Sequence, residues 1–244
     1  NNATNGINLA VTNLSGMTAG LANRQSADGV AVQAAASTDG AIQSTFSGDV
    51  AGASSVVQNN NAITASGNVN YAGNSLTVAA NQITGRNAIT PLADGLSVAA
   101  DLALVSVQVV EGDSSEGSSD FVTANVTGTI SSSGFDLNAS SLSMNANSVT
   151  ANANANNGIN KLAVTASSMN QATLGLSSIQ ANSNANVLAN AQGDILANFD
   201  TVSAGNVSVN NNEVKSTAIA NTASNGVNLS VTNATGSTVA PAMQ

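Results

Sequence analysis

Apolar and polar positions alternate in three related stretches of the chain. LTVAANQI begins at Leu76 and places Leu76, Val78 and Ile83 at offsets repeated by Leu142, Met144 and Val149 in LSMNANSV, and by Val207, Val209 and Val214 in VSVNNNEV. Side chains two residues apart share one face of a strand. Each stretch therefore predicts a strand with one buried face, followed by a polar turn near Asn81, Asn147 or Asn212. A second alternating segment lies 20 to 22 residues further on in each case: Leu96 and Val98 after Asp94-Gly95, Leu162 and Val164 after Asn157-Gly158, and Leu229 and Val231 after Asn225-Gly226.

Starts 66 and 65 residues apart mark a superrepeat of approximately 65 residues, and the inner spacing divides it into rungs of roughly 20-22 residues. The expected fold class is all-β, a parallel β-solenoid (β-helix) in which equivalent residues stack from rung to rung. Eleven or twelve rungs at ~4.8 Å would make a rod on the order of 55 Å long. Shorter matches extend the pattern: VVQNNNAI at Val56 resembles VSVNNNEV, and NGINLAVTN, with Leu9 and Val11, resembles NGVNLSVTN near the end of the chain. Residues 1-235 are read as one elongated domain, with an irregular section over 12-60, an acidic insertion over 111-120, and a flexible or subunit-docking tail over 236-244.

Composition narrows the chemistry. Among 244 residues there are 37 Asn, four Phe, one Tyr, no Trp, no His and no Cys. A core built from Ala, Val, Leu and Ile favours thin, regular packing. The Asn-rich turns, including Asn59, Asn60, Asn61, Asn210, Asn211 and Asn212, serve either as solvated corners or as stacked amide ladders. Four basic side chains against thirteen acids give a formal charge of −9, which supplies no phosphate-tracking surface. No nucleic-acid partner is expected. No apolar run is long enough to predict a transmembrane segment.

Lack of His and Cys removes imidazole bases, thiol nucleophiles and ordinary zinc ligand sets. Carboxylate pairs could serve glycoside cleavage, yet their spacing marks recurring turns, so no enzyme, no catalytic residue, no cofactor and no metal site is expected. Glu111, Asp113, Glu116 and Asp120 fall in a Gly/Ser-rich stretch whose spacing does not match a calcium loop. They are read as a lateral contact surface. Scattered Thr12, Thr77, Thr150, Thr165 and Thr232 raise an ice-binding face as a third reading, weakened by their irregular spacing.

The Asn-Gly turns of NGINLAVTN and NGVNLSVTN, with GNSLTVAANQ and GNVSVNNNEV, resemble exported bacterial β-solenoid proteins of the adhesin or surface-fibre type. The resemblance is one of repeat style over most of residues 1 to 235. It implies a secreted, extracellular or cell-surface location, and Asn1 in place of an initiator Met is compatible with a removed export signal. It also implies a fibre subunit whose partners are identical copies in an open filament, together with a cell-surface or matrix component. The alternative is a non-polymerising adhesin that binds a glycan or an abiotic surface. The predicted assembly core comprises Leu9, Val11, Leu76, Val78, Ile83, Leu96, Val98, Leu142, Met144, Val149, Leu162, Val164, Val207, Val209, Val214, Leu229 and Val231.

Overall fold

The computed structural model describes residues 1–29, 32–37, 42–86, 90–91, 97–112 and 121–243. Among them there is no helix. The chain winds through four successive coils. The first contains β1 (Asn2–Ser15), β2 (Ala19–Asp28), β3 (Val32–Ser37), β4 (Ile42–Thr45) and β5 (Ser55–Val57). The second contains β6 (Ala62–Thr84), β7 (Thr90–Pro91), β8 (Ser97–Val98), β9 (Leu102–Glu111), β10 (Phe121–Asn138) and β11 (Ser141–Ser143). The third runs β12 (Ser148–Asn170), β13 (Thr173–Ser183), β14 (Asn186–Ser203) and β15 (Asn206–Ser208), and the fourth holds β16 (Glu213–Thr235) and β17 (Thr238–Met243).

Stacking these coils generates four parallel sheets. Row A is β1-β6-β12-β16 and row B is β2-β9-β13-β17. Row C joins β3 and β4 to β10 and then β14, and row D is β5-β11-β15. β7 and β8 form a separate antiparallel pair.

The register corrects the expected rung. Leu142 is paired with Val56 and Val207, whereas Leu162 is paired with Leu76 and Val227. Leu142 and Leu162 therefore lie on rows D and A of one winding, and the 20-residue spacing between them is a distance around the coil. Neighbours in row A are 69, 86 and 65 residues apart. From the second to the third coil the offset falls from 86 in row A to 72 in row B and 65 in row C. The surplus sits at two corners of the second coil, around residues 86–101 and 112–120. Row A is thus four strands deep, about 15 Å from first to last at the usual strand spacing. The eleven-rung rod is not formed.

Corners join successive rows, and among the described residues left-handed positions mark them. Gly16, Gln171 and Gly236 turn row A into row B, Gly29 and Asn184 turn B into C, Ala53, Ala139 and Ala204 turn C into D, and Asn60, Ala146 and Asn211 return D to A, all with φ between 48° and 60°. Of the three expected turns near Asn81, Asn147 and Asn212, the first does not form: β6 continues through Asn81 to Thr84, so LTVAANQI belongs to the long strand of row A. The true counterpart of LSMNANSV and VSVNNNEV is VVQNNNAI.

The interior holds two apolar clusters. Val56, Ile63, Val126, Ile130, Leu142, Met144 and Val149 fill the space between rows A, C and D. Leu76, Val78, Ile83, Leu102, Leu104, Leu162, Val164 and Leu174 fill the space between rows A and B. Both clusters rest on β6 and β12, whose 23 residues span the width of the coil. The section 12–60 contributes the first strand of rows B, C and D, and the expected tail contains β17, paired with β13.

Candidate assembly surface

Amides lie where the two apolar clusters meet. Asn70, Asn74, Asn156, Asn160 and Gln108 are buried there despite their polarity. A buried amide without partners costs about 1–3 kcal/mol, so each must be bonded. Two ladders of Asn accomplish this along row A. In one, the Nδ2 of Asn1 donates to Asn70, that of Asn70 to Asn156 and that of Asn156 to Asn221, at 2.8, 2.9 and 2.8 Å. In the other, Asn5 donates to Asn74, Asn74 to Asn160 and Asn160 to Asn225, at 3.1, 2.9 and 2.7 Å.

A Gln ladder on row B runs the opposite way. Gln180 Nε2 donates to Gln108 Oε1 at 2.7 Å, and Gln108 Nε2 to Gln25 Oε1 at 2.9 Å. The ladders also lace rows A and B together across the interior. Asn70 and Asn156 send a second proton to the carbonyls of Val109 and Ala181, while Gln25, Gln108 and Gln180 donate to those of Tyr71, Asn157 and Thr222. Those carbonyls accept only, which fixes the orientation of each amide.

Asn also clamps the corner between rows D and A. Asn59 Oδ1 accepts from the backbone N–H of Asn145, and Asn145 Oδ1 from that of Asn210, at 2.7 and 2.8 Å. Asn147 Oδ1 accepts from Asn61 and Asn212 Oδ1 from Asn147, at 3.0 and 2.9 Å. The recurring Asn-x-Asn of VVQNNNAI, LSMNANSV and VSVNNNEV is thus a coil-to-coil clamp. Of the six turn Asn residues singled out by sequence, Asn59, Asn61, Asn210 and Asn212 take part in it, while Asn60 and Asn211 are the left-handed corner residues.

The predicted core residues divide by position in the stack. Leu142, Met144 and Val149 are buried in the first cluster, and Leu76, Val78, Ile83, Leu162 and Val164 in the second, with Leu9, Val11 and Val231 half-buried against it. Val207 stacks on Leu142 yet is 46% exposed where Leu142 is 1% exposed, and Val214 on Val149 is 47% exposed against 0%. Val209 and Leu229 are likewise exposed above buried partners. Burial is lost because β15 and β16 are each paired on one side only. β1 forms the corresponding edge at the other end of row A, with Ile7 exposed beside buried Leu76.

Other predicted positions contribute differently. Val98 lies in β8, and Leu96 falls outside the described residues. Glu111 ends β9, exposed and in register with Asp28 and Ser183, while Asp113, Glu116 and Asp120 fall outside the described residues. Among the described residues no three His, Cys, Asp or Glu side chains come together as metal ligands. Nor is any described helix long and apolar enough to cross a membrane. The Thr residues do not form a column: Thr12 and Thr232 share one with Asn81 and Ser167, Thr165 stacks on Ala79, and Thr77 on Ala163.

Sequence reasoning missed the row A and row B ladders. The row A signal is present as Asn at residues 1 and 5, 70 and 74, 156 and 160, and 221 and 225, a four-residue spacing repeated four times. No protein-family model, curated protein or solved structure matches the chain.

Proposed function

We propose that the protein is a structural fibre subunit, in which the open edge at β16 and β17 of one copy is continued by the first coil of the next. The observation that carries this reading is the exposed edge itself: an apolar and amide column in register with the buried column below it. Finishing the burial of Val227, Leu229 and Val231 is worth about 2–3 kcal/mol in total. A β16–β1 contact like the existing β1–β6 pairing would add about a dozen backbone hydrogen bonds at ~1 kcal/mol each. Together these offset the several kcal/mol lost when two molecules dock. A contact of this head-to-tail kind does not close on itself and so propagates as a filament.

The fibre is proposed to be extracellular and of bacterial surface type, with a matrix or cell-surface component as a lateral partner and with no enzymatic step. The outer face of row A, mostly hydroxyl and amide side chains with Lys161, Glu213 and Lys215 among them, suits that setting. Electron microscopy and sedimentation of purified residues 1–244 over a concentration series test the reading. Filaments of uniform width that disappear in Leu229→Asp support it. A monomer that persists at high concentration and binds a glycan or solid surface would replace it with the adhesin alternative.

A further inference from the structure

The Asn ladders are directional. In both, each Nδ2 donates toward the following coil, so one edge of row A ends in donors and the other in acceptors. Asn225 ends the second ladder, and its Nδ2 is shielded from solvent without a partner. At the opposite edge Asn5 spends its Nδ2 on Asn74, and its Oδ1 receives no hydrogen bond among the described residues. A buried amide proton lacking an acceptor is an uncompensated cost, and an amide oxygen at the same column position is the group that removes it.

The two edges also carry nearly the same sequence. NGINLAVTN over residues 5–13 and NGVNLSVTN over residues 225–233 differ only at Ile7/Val227 and Ala10/Ser230. They occupy equivalent register positions, since Asn5 leads through Asn74 and Asn160 to Asn225. Resting on the fibre reading, we infer that the partner at this edge is a second copy seated in parallel with its Asn5 on Asn225 and its Asn1 on Asn221. Residues 7, 9 and 11 then cover 227, 229 and 231.

Only this register completes both ladders. A slip of two residues keeps the inward face inward but sets Asn225 Nδ2 against Ala3 or Ile7. A slip of four pairs it with Asn1 or Leu9, and at most one of the two ladders continues. Each alternative leaves a buried amide facing a hydrocarbon, so the ladders select register and direction, as a single polar residue does in a coiled-coil seam. Rows A and B carry the joint, because they are four strands deep where rows C and D are three.

Cysteine pairs on the solvent face of β1 and β16 test the assignment. Asn8 and Asn228 are exposed and share one column, so Asn8→Cys with Asn228→Cys places the two sulfurs on adjacent parallel strands, about 4.8 Å apart at Cα and within disulfide reach. Gly6→Cys with Gly226→Cys does the same one column away and serves if the first pair misfolds. Asn8→Cys with Thr232→Cys is the control, four residues and about 13 Å out of register. After mild oxidation of filaments, a non-reducing gel should show a covalent ladder for the two in-register pairs and monomer for the control. Filaments that cross-link only in the control, or in no pair, would overturn the register while leaving the fibre reading intact. Absence of filaments from the unsubstituted protein as well would sink the fibre reading and this inference with it.

Discussion

Replacing Asn156 by Leu tests whether the buried ladder stabilises the coil. Asn156 is completely buried, accepts from Asn70 at 2.9 Å and donates to Asn221 at 2.8 Å and to the Ala181 carbonyl at 2.9 Å. Leu keeps the branched side-chain skeleton, with methyls in place of the oxygen and amino group, and removes all three bonds. Asn221 is exposed at the open edge, so water can take over its lost bond. One proton of Asn70 Nδ2 and the Ala181 carbonyl are left inside, at about 1–3 kcal/mol each. The gain from burying an apolar side chain offsets ~1 kcal/mol of that, giving a net destabilisation of about 1–5 kcal/mol. Asn154→Leu is the matched control, since Asn154 lies on the outer face and its bond to Asn68 is exposed, so its effect should stay within about 0.5 kcal/mol. Urea unfolding followed by circular dichroism, with the slope of the transition checked for constancy, gives both differences. If Asn156→Leu is as stable as Asn154→Leu, the amides contribute nothing beyond filling space and the account of the ladder is wrong.

Three further outcomes follow from the same geometry. Val164→Asp buries an unpaired charge and should cost more than about 3 kcal/mol in thermal or urea unfolding, whereas Leu229→Asp, its half-exposed neighbour in the stack, should leave the monomer folded and abolish filaments seen by microscopy. Gly85→Ala drives a methyl into the backbone of Ala172 and the carboxylate of Asp101 and should lower the melting temperature by several degrees, while Gly226→Ala, with open space around it, should not move it. Ala146, held at φ 55° where the equivalent residues of the neighbouring coils are Asn60 and Asn211, should become more stable by about 0.5–1 kcal/mol on substitution with Gly, measured by urea midpoint.

Charge should matter little to assembly. Residues 2–15 and 222–235, the segments of the two row A edges that the inferred register pairs, contain no charged side chain. The ion pair between Lys215 and Glu213 is 3.5 Å long with both side chains more than half exposed, a geometry worth about 0–1 kcal/mol at most. Filament yield measured by pelleting should therefore be flat between low and high salt. A steep loss with added salt would point to an ionic joint instead.

The alternation of Leu142 with Met144 and of Leu162 with Val164 was sufficient to determine strands, their buried faces and an all-β repeat, because side chains two apart on a strand must share a face whatever lies beyond. The 65-residue interval from Leu142 to Val207 likewise marked true neighbours. What the sequence could not decide was which copy lies against which. Rows A and D carry the same apolar spacing, so LTVAANQI reads like LSMNANSV although β6 is a long straight strand and β11 leads into a corner. The extra residues at two corners of the second coil shift Leu76 into register with Leu162, 86 positions away. Only the tertiary structure sets that register, since it depends on hydrogen bonds between strands and on simultaneous burial in two clusters. It also decides that Asn at four-residue spacing points inward as a ladder, because an amide reads alike in a solvated turn and in a core until its partners are in place.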